Sequence, residues 1–371
     1  MTISFNGTNG LTFNDGSTQN TAATGFGFKN RIINGAMMID QRNAGASATI
    51  TANPQYTLDR WFAGVSVGSK ISIQQNAGAV TPPAGFTKYL GVTSLAATTP
   101  ASTDVYYLQQ SIEGFNTADL GFGTANASAI TISFWVRSSL TGTFGAVILN
   151  AGSNRSYPFN YTISSANTWT QITQTISGDV TGTWATDNTT GFQLRFGLGA
   201  GATYQGTAGS WGTANVVTTT GATSVVGTSG ATFYITGVQL EKGSTATSFD
   251  YRPYGTELSL CQRYYEQFVA GQELTVNGLY CAGNAFNGTQ VRGALTYQVQ
   301  KRINNPTFTF SAGNTFYQQG NGGNVVGSAI SLIQNGSKGA LILCTGTYTQ
   351  GYGYNILDNT GTSYITISAE L

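Results

Sequence analysis

The side chains able to do chemistry in this chain are few, and their scarcity is selective. Among 371 residues there is no histidine, which removes the commonest general base and every histidine-dependent triad or metal site. Fifteen carboxylates remain, and two suffice for glycoside hydrolysis when they stand roughly 5 to 9.5 Å apart. The best candidate pair is Asp179 and Asp187, which flank Trp184 in GDVTGTWATDNTTG. That stretch reads equally as a Gly/Asn turn, or as a weak calcium loop without the DxDxDG pattern. Asp15, Glu257 and Glu266 already have turn or helix roles open to them. Cys261, Cys281 and Cys344 are odd in number and lack CxxC spacing, so neither a disulfide framework nor a zinc site is expected. Without a basic partner, such thiols read as small core residues. No catalytic residue, metal ligand or cofactor is assigned on these grounds.

Sugar binding asks for less: an aromatic face for C–H contact, and amide, hydroxyl or guanidinium groups for the ring hydroxyls. Strand alternation nominates positions. Across residues 131–137, Ile132, Phe134 and Val136 point one way, while Ser133, Trp135 and Arg137 point the other. Gln193 and Arg195 likewise oppose Phe192, Leu194 and Phe196, and Tyr107 and Gln109 oppose Tyr106 and Leu108. Loop aromatics form a second set, with Tyr204 and Trp211 in the polar GAGATYQGTAGSWGTAN stretch and Tyr348, Tyr352 and Tyr354 near the C-terminus. The candidate glycan-binding residues are therefore Trp135, Arg137, Arg195, Tyr204, Trp211, Tyr348, Tyr352 and Tyr354. Each has a second reading: a strand face can pack on a neighbouring subunit, Trp135 can belong to an outer core layer, and loop rings can plug subunit contacts. Trp61, in DRWF, reads as core.

These residues need elements to hold them, and the composition says which. Charged residues make up 8% of the chain, against roughly 25% in an average soluble domain, while 40% are hydrophobic and 12% aromatic. That is a folding composition, not a disordered one. Forty-nine glycines with abundant Thr, Ser and Asn suit short strands joined by tight turns. Residues 29–254 read as strand after strand, with clear examples at 129–139, 143–152, 168–178, 191–199 and 231–240, a pattern of a sandwich or jelly roll. One helix is expected from Thr256 to Phe268, with Thr256 as cap, Glu257 in the first turn, and Leu258, Cys261, Tyr265 and Phe268 on one face. Beyond Gly271 six further strands predict a smaller antiparallel sandwich, with the GYGY turn at 351–354 on a loop. The expected division is 1–28, 29–255, 256–270 and 271–371. A net charge of +1 leaves no electrostatic footprint for nucleic acid or an anionic membrane. No apolar run approaches the roughly 20 residues of a membrane span, and residues 1–10 lack the basic and apolar regions of a signal peptide. With six lysines and 7 prolines, the usual protection of sheet edges is thin, so covering by copies of the same chain is expected.

Three stretches carry a resemblance. Residues 238–267, VQLEKGSTATSFDYRPYGTELSLCQRYYEQ, resemble a join in bacteriophage tail-fibre and tail-spike proteins, where a β-domain ends and the next module opens. KNRIINGAMMIDQRNAG at 29–45, followed by YTLDRWFAG at 56–64, resembles the start of the same β-domain, and GLTFNDGSTQNTA at 10–22 fits the pattern. The strand order is also similar to jelly-roll carbohydrate-binding modules, with one departure: Gly237 stands where those modules often carry Asp in the closing strand. Neither their metal nor their sugar site is carried over for that reason. The resemblance implies a virion protein, made in the host bacterial cytoplasm, that forms a homotrimer, joins other tail or virion proteins through residues 1–28, and binds host surface polysaccharide without cleaving it. A capsid or tail decoration fibre without its own receptor, and a tail-spike glycan depolymerase, are the alternatives; the 271–371 module is the expected distal tip.

Overall fold

A computed structural model describes residues 4–6, 10–12, 18–19, 29–269, 279–311, 316–320, 323–327, 329–358 and 364–371. It is almost entirely β, as the composition requires. Two six-stranded antiparallel sheets form a jelly-roll sandwich. The first runs in the order Thr170–Ile176, Ile130–Ser138, Thr232–Lys242, Leu90–Ser94, Ile71–Gln75 and Ala48–Thr49. The second runs Ser156–Ile163, Gly142–Asn150, Thr190–Ala200, Val105–Glu113, Trp61–Val65 and Gln55–Leu58.

The period-2 pattern decides which face is inside. Ile132, Phe134 and Val136 are fully buried against Phe196, Leu194 and Ile148 of the facing sheet, and Phe134 meets the rings of Phe196 and Tyr161 at 5.0 and 5.2 Å. Each such side chain contributes roughly 1.5–3 kcal/mol through burial. Trp61 is fully buried and donates its Nε1 hydrogen to the Asn34 carbonyl at 3.2 Å.

Near the N-terminus, Ser4–Asn6, Gly10–Thr12 and Thr18–Gln19 form a small antiparallel sheet; the rest of 1–28 lies outside the described residues. After the sandwich come a three-stranded sheet ordered Tyr265–Val269, Tyr364–Ser368, Thr307–Phe310, and a seven-stranded sheet. Their shared core gathers Val291, Ile342, Cys344 and Ile356 with Phe308 and Phe310, and Leu295, Ile365 and Ile367 beside them. The predicted strand at 273–281 is described only from Leu279 onward, as Leu279–Asn287. All three cysteines are buried and unbridged.

The helix differs from expectation at both ends. It spans Tyr254–Gln262, its cap position is Pro253, and Thr256 does not cap it. Residues beyond Arg263 leave the helix, and Tyr265–Val269 is a strand paired in full register with Tyr364–Ser368. The run YYEQFV is rich in residues that favour strands, and a partner about a hundred residues downstream outweighs the local helical spacing. Tyr265 and Phe268 therefore do not share a helix face with Cys261. What the helix does bury is Cys261, with Leu258 and Leu260 packed against Ile33 and Ile39.

The two long motifs meet in one clasp. The Asn30 side chain donates to the Val238 carbonyl at 2.9 Å and accepts from the Leu240 amide at 3.0 Å. Gly35 O accepts from the Val238 amide at 2.9 Å, an approach so close that a Cβ on Gly35 would lie 2.2 Å from the Val238 oxygen. The Asn34 amide donates to Glu257, and Arg252 bridges Glu257 and the Ile32 carbonyl. Ion pairs continue the junction downstream: Arg263 grips buried Glu113 at 2.5 and 2.9 Å, Arg60 and Arg42 both hold Glu370, and Lys301 pairs with Glu266 at 2.5 Å. Few charges are available, and many of them are spent here.

Candidate functional site

The Ile130–Ser138 strand turns Trp135 and Arg137 away from the core, onto the outer face of the first sheet. Trp135 is half-buried, directly opposite Gln171 of one neighbouring strand and Thr236 of the other. Gln171 and Thr173 beside it are exposed. Arg137 donates its Nε hydrogen to the Asn167 carbonyl at 2.9 Å, and its guanidinium lies 5.4 Å from the Tyr234 ring. Its terminal nitrogens have no hydrogen-bond partner among the described residues. Tyr234 packs on Tyr89 at 5.2 Å, and Tyr89 on Trp169 at 5.5 Å. Trp169 is pinned through Nε1 to the Thr81 carbonyl at 2.9 Å. The result is a largely buried aromatic row that ends on the Arg137 guanidinium, with the half-open Trp135 indole two residues along the strand and opposite Gln171; indole, guanidinium and amide can stack on a C–H face and hydrogen-bond to hydroxyls.

The remaining candidates lie elsewhere and differ in what they leave free. Arg195 does face outward on the second sheet, yet loops cover it. Its nitrogens donate to Gln109 at 2.5 Å, to Gln193 at 2.8 Å and to Asn215 at 2.8 Å, and desolvation pushes its guanidinium below its ordinary value. Trp211 donates to the Ser177 carbonyl at 2.8 Å and packs among Tyr157, Trp184 and Phe122 at 5.2–5.8 Å, closing one end of the core. Tyr204 is half-buried in a short turn, Ala202–Tyr204. Tyr348 and Tyr354 are buried against each other at 5.2 Å, and Thr349 N donates to the Tyr354 hydroxyl at 3.1 Å. Tyr354 sits in the strand Gly353–Asp358, not in a loop. Of that C-terminal set, Tyr352 alone presents its ring, 46% exposed. The eight candidates therefore do not converge on one place.

The two nominated carboxylates are both engaged. Asp179 is buried and receives Arg155 through Nε and Nη2, each at 2.7 Å, and the Thr181 hydroxyl at 3.0 Å. Burial would raise its pKa, but these hydrogen bonds outweigh it and hold the carboxyl below the ordinary range. Asp187 is exposed and caps its own turn, accepting from the Thr189 hydroxyl at 2.5 Å and amide at 2.9 Å, which lowers its pKa. Gly237 has a structural explanation: its φ is +61°, and a Cβ there would lie 2.6 Å from the Phe86 ring. The Asp of the resembling modules has no room at this position.

Three sites escaped the reading of the sequence. One is the Tyr89–Trp169 extension of the aromatic row. Another is an aromatic pocket lined by Phe86, Phe249 and Tyr251. The third is Phe286, 54% exposed under the Arg292 guanidinium at 3.6 Å. The first two join segments far apart in sequence, and the third pairs neighbouring strands of one hairpin.

No protein-family model matches the chain, and no curated protein matches it. Solved structures do show likeness. A structure described as CBM4 is 17% identical, covering 56% of this chain and 97% of its own, at a TM-score of 0.30. A family 11 carbohydrate-binding module from Clostridium thermocellum, in complex with a β-1,3-1,4-mixed-linked tetrasaccharide, is 13% identical over 55% of this chain and all of its own, at 0.28. The enzymatically active domain of tailspike protein 4 from bacteriophage CBA120 is 10% identical over 49% of this chain and 19% of its own, also at 0.28. Likeness at this level assigns neither ligand nor activity to the present chain.

Proposed function

We propose that this chain is a bacteriophage virion protein of the tail-fibre or receptor-binding class, recognising host surface glycan without cleaving it. The observation that carries the recognition is the outward platform of Trp135, Arg137 and Gln171 on an otherwise rigid sheet. Such a site is shallow and weak. Presented in several copies, it gains apparent affinity of roughly 10² to 10⁴ without new contacts, and a homotrimer with residues 1–28 joined to other virion proteins would supply the copies. The virion assignment rests on the tail-fibre-like motifs; their union in one clasp supports reading them as a single unit. The engagement of Asp179 and Asp187 in their own loops supports a non-enzymatic role.

The test is Trp135→Ala. Binding to a panel of bacterial surface polysaccharides should weaken by about 1–2 kcal/mol per site, on the scale of an aromatic contact, while the melting temperature stays put because the ring is not core. Unchanged binding removes this platform from the proposal. Release of reducing sugar by the wild type, lost in an Asp179→Ala/Asp187→Ala double variant, would overturn the non-enzymatic reading, and a capsid location by labelled antibody would move the chain to the decoration class.

A further inference from the structure

A pocket of about 200 Å³ opens where residues 30–38, 85–87 and 249–257 converge. Phe86, Phe249 and Tyr251 form one wall, their rings 4.8–5.5 Å apart. Tyr251 is fixed by its hydroxyl, which donates to the Gly85 carbonyl at 2.8 Å, and Phe86 rests on the sandwich at Gly237. Tyr251 and Tyr254 line the pocket and yet are 57% and 58% exposed. The polar side is Asp250, with Asn30, Thr87 and the Arg252–Glu257 pair also lining the pocket. Asp250 Oδ2 accepts from the amides of Lys29 at 2.9 Å and Asn30 at 3.2 Å, while its Oδ1 has no hydrogen-bond partner among the described residues. The neighbouring Glu257 is matched by Arg252 at 3.2 Å.

Size, shape and charge narrow the ligand. Pockets for drug-sized molecules run to about 300–1,000 Å³, so this one takes a single ring. The three wall rings pack on each other, which leaves a platform and no gap in which a cation could be caged between faces. A platform with one open acceptor suits a sugar: axial and ring C–H groups lie on an aromatic face, and a hydroxyl donates to a carboxylate oxygen. An acidic sugar would instead meet the Asp250 carboxylate. We propose that this pocket seats one neutral pyranose ring against Tyr251 and Tyr254, with a hydroxyl donating to Asp250 Oδ1. It is a second contact for the glycan, separate from the Trp135 face, and it rests on the glycan-binding reading.

Saturation-transfer NMR on the full chain tests this with methyl glycosides of glucose, galactose, mannose and N-acetylglucosamine, and with methyl glucuronide as the acidic control. At least one neutral glycoside should receive saturation. Measured on a Trp135→Ala background, which removes the sheet-face contact, the transfer should be weakened tenfold or more by Tyr254→Ala, which removes an exposed ring, and by Ala36→Leu, which fills the pocket. On that background, no transfer to any neutral glycoside, equal transfer to the glucuronide, or transfer that survives both pocket variants overturns the inference. If polysaccharide binding is lost in Trp135→Ala while the pocket variants bind normally, the pocket fails and the proposed function stands.

Discussion

Asp59 is the place where stability should respond most to pH. It lies in the DRWF motif, is fully buried, and faces Gln41, Arg42, Cys261 and Glu370. Its Oδ2 accepts from the Gln41 amide at 3.2 Å and side chain at 2.9 Å. Arg42 approaches the other oxygen only to 3.5 Å and is shared with Glu370 at 2.8 Å. Loss of water therefore exceeds the attraction, and the carboxyl is pushed up from 3.8 to about 7. Between those values the unfolded chain ionises this group while the folded chain keeps the proton. Stability accordingly falls as pH rises from about 4 to 7 and levels off above. At about 1.4 kcal/mol per tenfold, the displacement corresponds to roughly 4 kcal/mol. Asp59→Asn retains an oxygen for Gln41 and removes the late charge. We expect it to match the wild type near pH 4 and to be more stable by about 2–4 kcal/mol at pH 8, read from the first unfolding transition in denaturant at pH 4, 6, 7 and 8. A variant less stable than the wild type at pH 8, or a difference that does not change with pH, would refute the reasoning.

Other perturbations follow from single contacts. Gly35→Ala should break the clasp, because the new methyl meets a backbone carbonyl and not a movable side chain; we expect about 2 kcal/mol or more of lost stability, and a variant as stable as the wild type would contradict the geometry. Asp179→Ala should destabilise the sandwich by about 3 kcal/mol by stranding Arg155, and neither the variant nor the wild type should release reducing sugar from polysaccharide. Sedimentation equilibrium at low micromolar concentration should give three times the 38.9 kDa chain mass; a monomer would refute the trimer.

What was legible in the sequence is what short-range alternation determines. Ile132, Phe134 and Val136 against Ser133, Trp135 and Arg137 is a period-2 pattern, and the Ile130–Ser138 strand puts the first three in the core and leaves Trp135 and Arg137 half-buried. Limits appear wherever a distant segment decides. Tyr265–Val269 has helical spacing to Cys261, and only its pairing with Tyr364–Ser368 makes it a strand. Tyr352 and Tyr354 are two residues apart in one GYGY run, yet one is exposed and the other is core, because the strand begins between them at Gly353. Arg195 has the outward direction that alternation assigned, but direction is not access: residues from loops near Ser153 and Asn215 arrive over it. The same reasoning explains why the pocket at Asp250 was invisible while the motif containing it was not. SFDYRPYG stands out in sequence for its aromatic and charged density, but its partners Phe86 and Asn30 reach it only through the folded sandwich. A site assembled from one strand face can be nominated from sequence; one assembled from three segments cannot. For this chain, the proposed Trp135 platform is the one nominated by a strand's own alternation, and the proposed pocket the one that depends on the fold alone.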